Sequence, residues 1–298
     1  MLQNGTNAPI GDSTLAGKQA KYVPSFLVEF GQTSRGAWTI SQSRRAQDAQ
    51  LHLLFAKGKR PDRLALAEFA ARWPTIAVSH DPLAAEEPAP ESLWPGQQHW
   101  IELLCDGLTF DIAGLAPGPE SAFPQIEHRF DCPEVPSAQD YEVVTLRAGP
   151  HLAAGGNAMP LMRTLLGLAC RMVRHFDDLA ALSWAPALSV IGRRFFESVT
   201  SAWLEGGPFP ALGLTAFVDK GNGALESTGL AFWIGRELRI EPPLGSDRVA
   251  ATRLGIRLVN HLVLAGEPAA DERIVAPDGT PLVLRAARER ALISVWRE

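Results

Sequence analysis

From Gln50 onward the chain reads as short apolar runs separated by turn residues, with four longer stretches of helical spacing set among them. QLHLLFA, 50–56, alternates and then turns apolar, the pattern of a half-buried strand. In DRLALAEFAARW, Leu66, Phe69, Ala70 and Trp73 recur at helical intervals; Pro61 sits near the start and Pro74 ends the run. TIAVS, 75–79, predicts a strand, and four prolines in 80–96 mark an exposed excursion. In WIELLCDGLTFDIAGL, 100–115, Asp106-Gly107 stands between two strand-forming runs. Asp-Gly accepts the positive φ of a type I′ turn, so a β-hairpin is expected.

Residues 116–140 carry five prolines and no period, which suggests a connector. YEVVTLR then predicts a strand. PLMRTLLGLACRMVRHF, 160–176, predicts a helix with Leu161, Leu165, Leu168, Met172 and Phe176 on one face. A strand at ALSWA is followed by a second helix, capped by Ser189, with Ile191, Phe195, Val199 and Trp203 inward and Gly206-Gly207 as its stop. LGLTAFVD and ALESTGLAFWIG, joined by Lys220 to Gly223, read as a second hairpin that ELRIEP continues. A third helix is expected after Ser246, with Leu254, Leu258 and Leu262 inward, closed by Gly266. Strands around a Pro-Asp-Gly-Thr turn finish the chain.

Hairpins outnumber βαβ units, so the expected fold is α+β, two lobes of mixed or antiparallel sheet with flanking helices. The boundaries read as a polar segment at 1–45, partly without fixed structure, an N-terminal lobe at 46–118, a connector at 119–140 and a C-terminal lobe at 141–298. YVPSFLVEF within the first segment has the look of a strand.

The chain's 298 residues give a net charge of −5. Its arginines are scattered among apolar residues and form no basic stripe, which argues against nucleic acid as a partner. No apolar leader or 20-residue apolar run is present, so neither secretion nor membrane insertion is expected, and a cytoplasmic location is. Three distant cysteines, Cys105, Cys132 and Cys170, suit neither a disulfide framework nor a zinc site. No cofactor motif appears, and no metal is expected. His175-Phe176-Asp177-Asp178 lacks a second ligand one turn away.

Three candidate sites remain. Gly149, His151, Gly155, Gly156 and Asn157 lie in a small-residue loop before a helix, where backbone N–H groups could cradle an anion. His151 is the histidine placed for acid–base work. Glu226 and Glu237, with Glu241, line one strand system where paired carboxylates could act together. Against these stands the structural reading: loop glycines, solvated strand acids and buried aromatics.

ESTGLAFWIGRELRIEP, 226–242, carries a Thr-Gly-Leu element (Thr228, Gly229, Leu230), then Gly235 and Glu237-Leu238-x-Ile240, followed by a helix ending VNHLVLAG. Over about 180–266 the chain resembles a bacterial family of unknown function. The resemblance implies a bacterial origin and an α+β fold, and carries no catalytic residue with it. The reading these patterns favour is a non-enzymatic accessory or regulatory protein that binds another protein or a small molecule. The alternatives are a hydrolase-like enzyme with a cleft between lobes, and an anion or nucleotide binder at 149–157. Partner and oligomeric state are not written in the sequence.

Overall fold

Two mixed sheets carry the fold, described here from a computed structural model over residues 49–82, 100–276, 278–286 and 291–298. The strand expected at 22–30 and most of the proline-rich stretch at 80–96 lie outside these residues. The fold is α+β, as the pattern of hairpins predicts.

The first sheet has eight strands: β1 (Gln50–Ala56), β2 (Ile76–His80), β3 (Trp100–Cys105), β4 (Leu108–Ala113), β5 (His128–Phe130), β6 (Tyr141–Ala148), β7 (Leu179–Trp184) and β8 (Ser189–Gly192). Their spatial order is β2-β3-β4-β6-β1-β7-β8-β5, with β5 and β8 parallel and the other neighbours antiparallel. Strand β1 lies at the interior of the sheet, between β6 and β7. Strands from both sides of the proline-rich connector therefore share one sheet, and the chain changes sheet only after β8.

Helix α1 (Arg63–Ala71) and helix α2 (Met159–His175) cover one face. Asp62 caps α1 by accepting from the Ala65 N–H at 2.8 Å. Pro160 opens α2, where its missing N–H costs no helical bond. At the far end, Arg193 donates to the carbonyls of Val173 and Asp177 and so satisfies the last turn. Leu51, Leu53 and Phe55 of β1 meet Phe69 of α1 and Leu165, Leu166 and Val173 of α2 in one continuous core.

The connector covers part of the other face. Phe123, Ile126 and Cys132 pack on Leu54, Val143, Ala181 and Val190 as a small second core. Its prolines fit a segment that lies over a sheet without joining its ladder.

Helix α3 (Arg193–Leu204) begins later than the sequence suggests. Ser189 was expected to cap it, but Ser189–Gly192 is β8, paired with β7. Leu188 turns the chain with φ +50°, and β-branched Val190 and Ile191 take sheet positions. The Ser189 hydroxyl donates instead to the Gly213 carbonyl at 2.5 Å. The buried side of α3 is Phe196, Thr200 and Trp203, so Phe195 and Val199 give way to neighbours one position along.

The second sheet has six strands, β9 (Ala216–Asp219), β10 (Leu225–Thr228), β11 (Glu237–Ile240), β12 (Glu272–Val275), β13 (Pro281–Ala286) and β14 (Leu292–Arg297). They run in the order β12-β13-β14-β11-β10-β9, with β11 and β14 parallel. Between β10 and β11, LAFWI forms a short helix, α4 (Leu230–Ile234), where continued strand was expected. Helix α5 (Arg248–Ala265) packs on the inner face through Leu258, Val259 and Leu262. Its cap is Asp247 rather than Ser246, accepting from the Val249 and Ala250 N–H groups at 3.0 Å.

Aromatic rings tie the two sheets together. Trp184 of β7 meets Phe232 and Trp233 of α4 at 5.3 and 6.0 Å, and Phe209 bridges Trp233 (4.8 Å) and Trp203 (5.8 Å).

Candidate functional site

The 149–157 loop is held by internal bonds. The Gly149 N–H donates to the Thr109 carbonyl at 2.9 Å, and an exposed His151 is hydrogen-bonded through Nε2 to Thr109 Oγ1 at 2.8 Å. Asn157 donates its amide to the carbonyls of Phe232 and Trp233, at 3.2 and 3.5 Å, docking the loop on α4. Gly155 and Gly156 lie just before Asn157, Gly155 closing a 3₁₀ turn over Pro150–Gly155. None of these residues brings a carboxylate into hydrogen-bond reach of His151 among the described residues.

The three glutamates separate into two tasks. Glu237 accepts from the Ser227 hydroxyl (2.5 Å) and from the N–H groups of Gly229 (2.8 Å), Leu230 (3.1 Å) and Ala231 (3.0 Å). A carboxylate placed on the free N–H groups of a helix start is a cap, and it fixes α4. Glu226 and Glu241 flank Arg239 instead, at 3.2 and 3.0 Å, and Glu226 also meets Lys220 at 3.2 Å. Both carboxylates are engaged by cations. The Glu237 clamp also joins two stretches of the chain: Ser227 to Leu230 and Glu237-Leu238 are two ends of one hydrogen-bonded unit, completed by Leu238 N–H donating to Ser227 Oγ at 2.7 Å.

His175 packs edge-on against Phe69 and Phe176, and no group of His, Cys, Asp and Glu among the described residues has the geometry of a metal site. Burial pushes the thiols of Cys105 and Cys170 up to about 11, the range of unreactive cysteine.

Sequence reading missed a polar lane on the outer face of the eight-stranded sheet. Register places Glu102 (β3), Asp111 (β4) and Arg147 (β6) side by side. One residue pair along, Thr145 (β6), His52 (β1) and Ser183 (β7) follow in line. Asp111, Thr145, His52 and Ser183 are all buried. His52 Nδ1 is hydrogen-bonded to Thr145 Oγ1 at 3.1 Å, and burial lowers the His52 pKa to about 4, keeping the ring neutral. Asp111 is pushed above the usual carboxylate range by burial, which outweighs the opposing Arg147 charge. Arg147 reaches only Oδ2, through Nε at 3.3 Å and Nη2 at 3.2 Å. Asp111 Oδ1 and Ser183 Oγ are buried with no hydrogen-bond partner. The signal for this lane was alternation: His, Asp, Thr and Ser occupy the same phase of four strands, visible only once the strands are paired.

The outer face of the six-stranded sheet is different in kind. Strand register sets Arg273, Val283 and Trp296 in one row and Arg285, Ser294, Arg239 and Glu226 in the next. A hollow of about 310 Å³ opens here, lined by Asp271, Arg273, Val283, Arg285, Trp296 and Arg297, with Glu298. Trp296 is 40% exposed and Val275 on the neighbouring edge strand 71%. Arg273 pairs with Glu298 at 2.7 Å and Arg285 with Asp271 at 3.2 Å.

Among the described residues no helix is long and apolar enough to cross a membrane. Comparisons with protein-family models, with curated proteins and with solved structures found no match.

Proposed function

We propose that this chain is a bacterial cytoplasmic accessory protein that works by binding another protein, and that the outer face of its six-stranded sheet is the contact surface. The observation that carries this reading is Trp296. An indole 40% exposed on a regular sheet, at a hollow rimmed by charged side chains, has the composition of an interface centre. Tryptophan and arginine are the residues on which binding energy concentrates, because each offers a large contact area together with directed hydrogen bonding. Val275 extends the apolar part of the surface toward the edge strand β12. The bacterial assignment rests on the resemblance of residues 180–266, and the cytoplasmic one on three distant cysteines that suit no disulfide framework.

The test is selection of a random displayed peptide library on the immobilised protein, followed by affinity measurement against Trp296→Ala. An anchoring tryptophan contributes about 2 kcal/mol, so retained peptides should bind the variant ~30-fold more weakly. Peptides that bind the two proteins equally would remove Trp296, and with it this surface, from the reading.

A further inference from the structure

We infer that Asp111 forms the floor of a binding site for a primary ammonium group on the outer face of the eight-stranded sheet. The site is separate from the Trp296 surface and does not depend on it.

The argument begins with the Arg147–Asp111 pair. Arginine and aspartate commonly meet fork to fork, two N–H groups on two oxygens. Here both arginine nitrogens converge on Oδ2. The other oxygen, Oδ1, is left buried and without a partner, on a side chain only 3% exposed. A buried acceptor in that state bears an uncompensated desolvation cost, larger when charged, so its retention calls for a donor that completes it.

Charge then selects the donor. Glu102 stands directly across from Asp111 in the register, and Arg147 is the cation on the other side. Two carboxylates against one guanidinium leave the row one negative charge in excess, which a cation would balance. Geometry narrows it further. A guanidinium needs two acceptors in a plane, whereas an ammonium is a compact point donor that one oxygen can satisfy. Its remaining N–H groups would find neighbours on the same face, where Thr109, its hydroxyl joined to His151, lies two residues from Asp111 along β4. Arg147 is about half exposed, so the approach to Asp111 on its side runs along a solvent-facing side chain. A free polyamine and a lysine side chain of a partner share this chemistry.

The experiment is calorimetric titration of the full chain with n-butylammonium chloride, against sodium chloride at equal ionic strength. Saturable heat is expected for the ammonium salt alone. Asp111→Asn should weaken binding at least tenfold. Arg147→Gln should tighten it, because the competing cation is gone. Spermidine and Nα-acetyl-lysine methylamide, titrated in parallel, separate the two sources by which binds more tightly. Absence of saturable binding in the wild type overturns the inference, as does equal binding by Asp111→Asn. If that variant fails to fold by circular dichroism, Arg147→Gln decides: unchanged or weaker binding overturns the site.

Discussion

At the scale of a residue, His52 makes a measurable claim. Its ring sits between Thr145 and Ser183 in the sheet interior, and desolvation brings its pKa from 6.5 to about 4. Between these values the unfolded chain binds a proton that the folded one refuses. Stability attributable to His52 is therefore intact above pH 6.5, falls as pH drops through the window, and is fully lost below about 4. The separation corresponds to roughly 3 kcal/mol at 1.36 kcal/mol per unit. Urea unfolding of the wild type and of His52→Gln at pH 7 and pH 4 should show the difference between them shrinking by that order. A pH-independent difference would mean that the ring takes up its proton inside the fold as readily as in the unfolded chain. Asp111 acts in the opposite sense, its raised pKa favouring the folded state as pH falls. The difference between the two proteins isolates the histidine from that background.

At the scale of an element, two glycines separate backbone strain from packing. Gly107 completes the β3–β4 turn at φ +84° with open space where a Cβ would go. Gly229 enters α4 at φ +93°, and a Cβ there would lie 2.8 Å from Cβ of Ala187. Gly107→Ala should cost about 1 kcal/mol, the price of the left-handed conformation alone. Gly229→Ala should cost at least twice that, since it also displaces the chain beside Trp184 or loosens the Glu237 clamp. Thermal melts of the two variants check the ranking; equal losses would show that the α4 region gives way without resistance. The same pair shows what was legible beforehand. Asp106-Gly107 announces its hairpin, because a two-residue turn is decided by the residues within it. Leu230–Ile234 reads as strand, because its helical turn is imposed by a carboxylate that arrives later in the chain and acts across space. Ser189 misled for a related reason: a serine before an apolar run satisfies the rule for a cap, yet pairing with β7 claimed the residue first. Of the candidate sites, Glu226, Glu237 and Glu241 were read as one strand system, while Arg239, which Glu226 and Glu241 both meet, was visible only in register. The Asp111 lane was hidden altogether, since it exists across strands and not along any one of them.

At the scale of the whole molecule, the two sheets share one core cluster, and the aromatic contacts of Trp184 with Phe232 and Trp233 cross between them. Neither sheet covers its inner face alone. A fragment ending at Gly207, which retains all eight strands of the first sheet, should therefore expose Trp184 and bind a hydrophobic dye such as ANS. It should also melt without a cooperative transition. A fragment with native-like cooperativity would show that the first sheet is an independent unit, and that the aromatic bridge is dispensable.

The position of β1 has a consequence for synthesis. Its neighbours on both sides, β6 and β7, are encoded far downstream, so as the nascent chain emerges β1 has no strand partner until Ala148 clears the exit tunnel and only one until Trp184 does. Until β6 arrives the segment offers an apolar ribbon with both backbone edges open, the state most prone to sticking to another copy. Translation speed between codons 56 and 184, and the chaperones present meanwhile, should govern how much of this protein reaches its finished form.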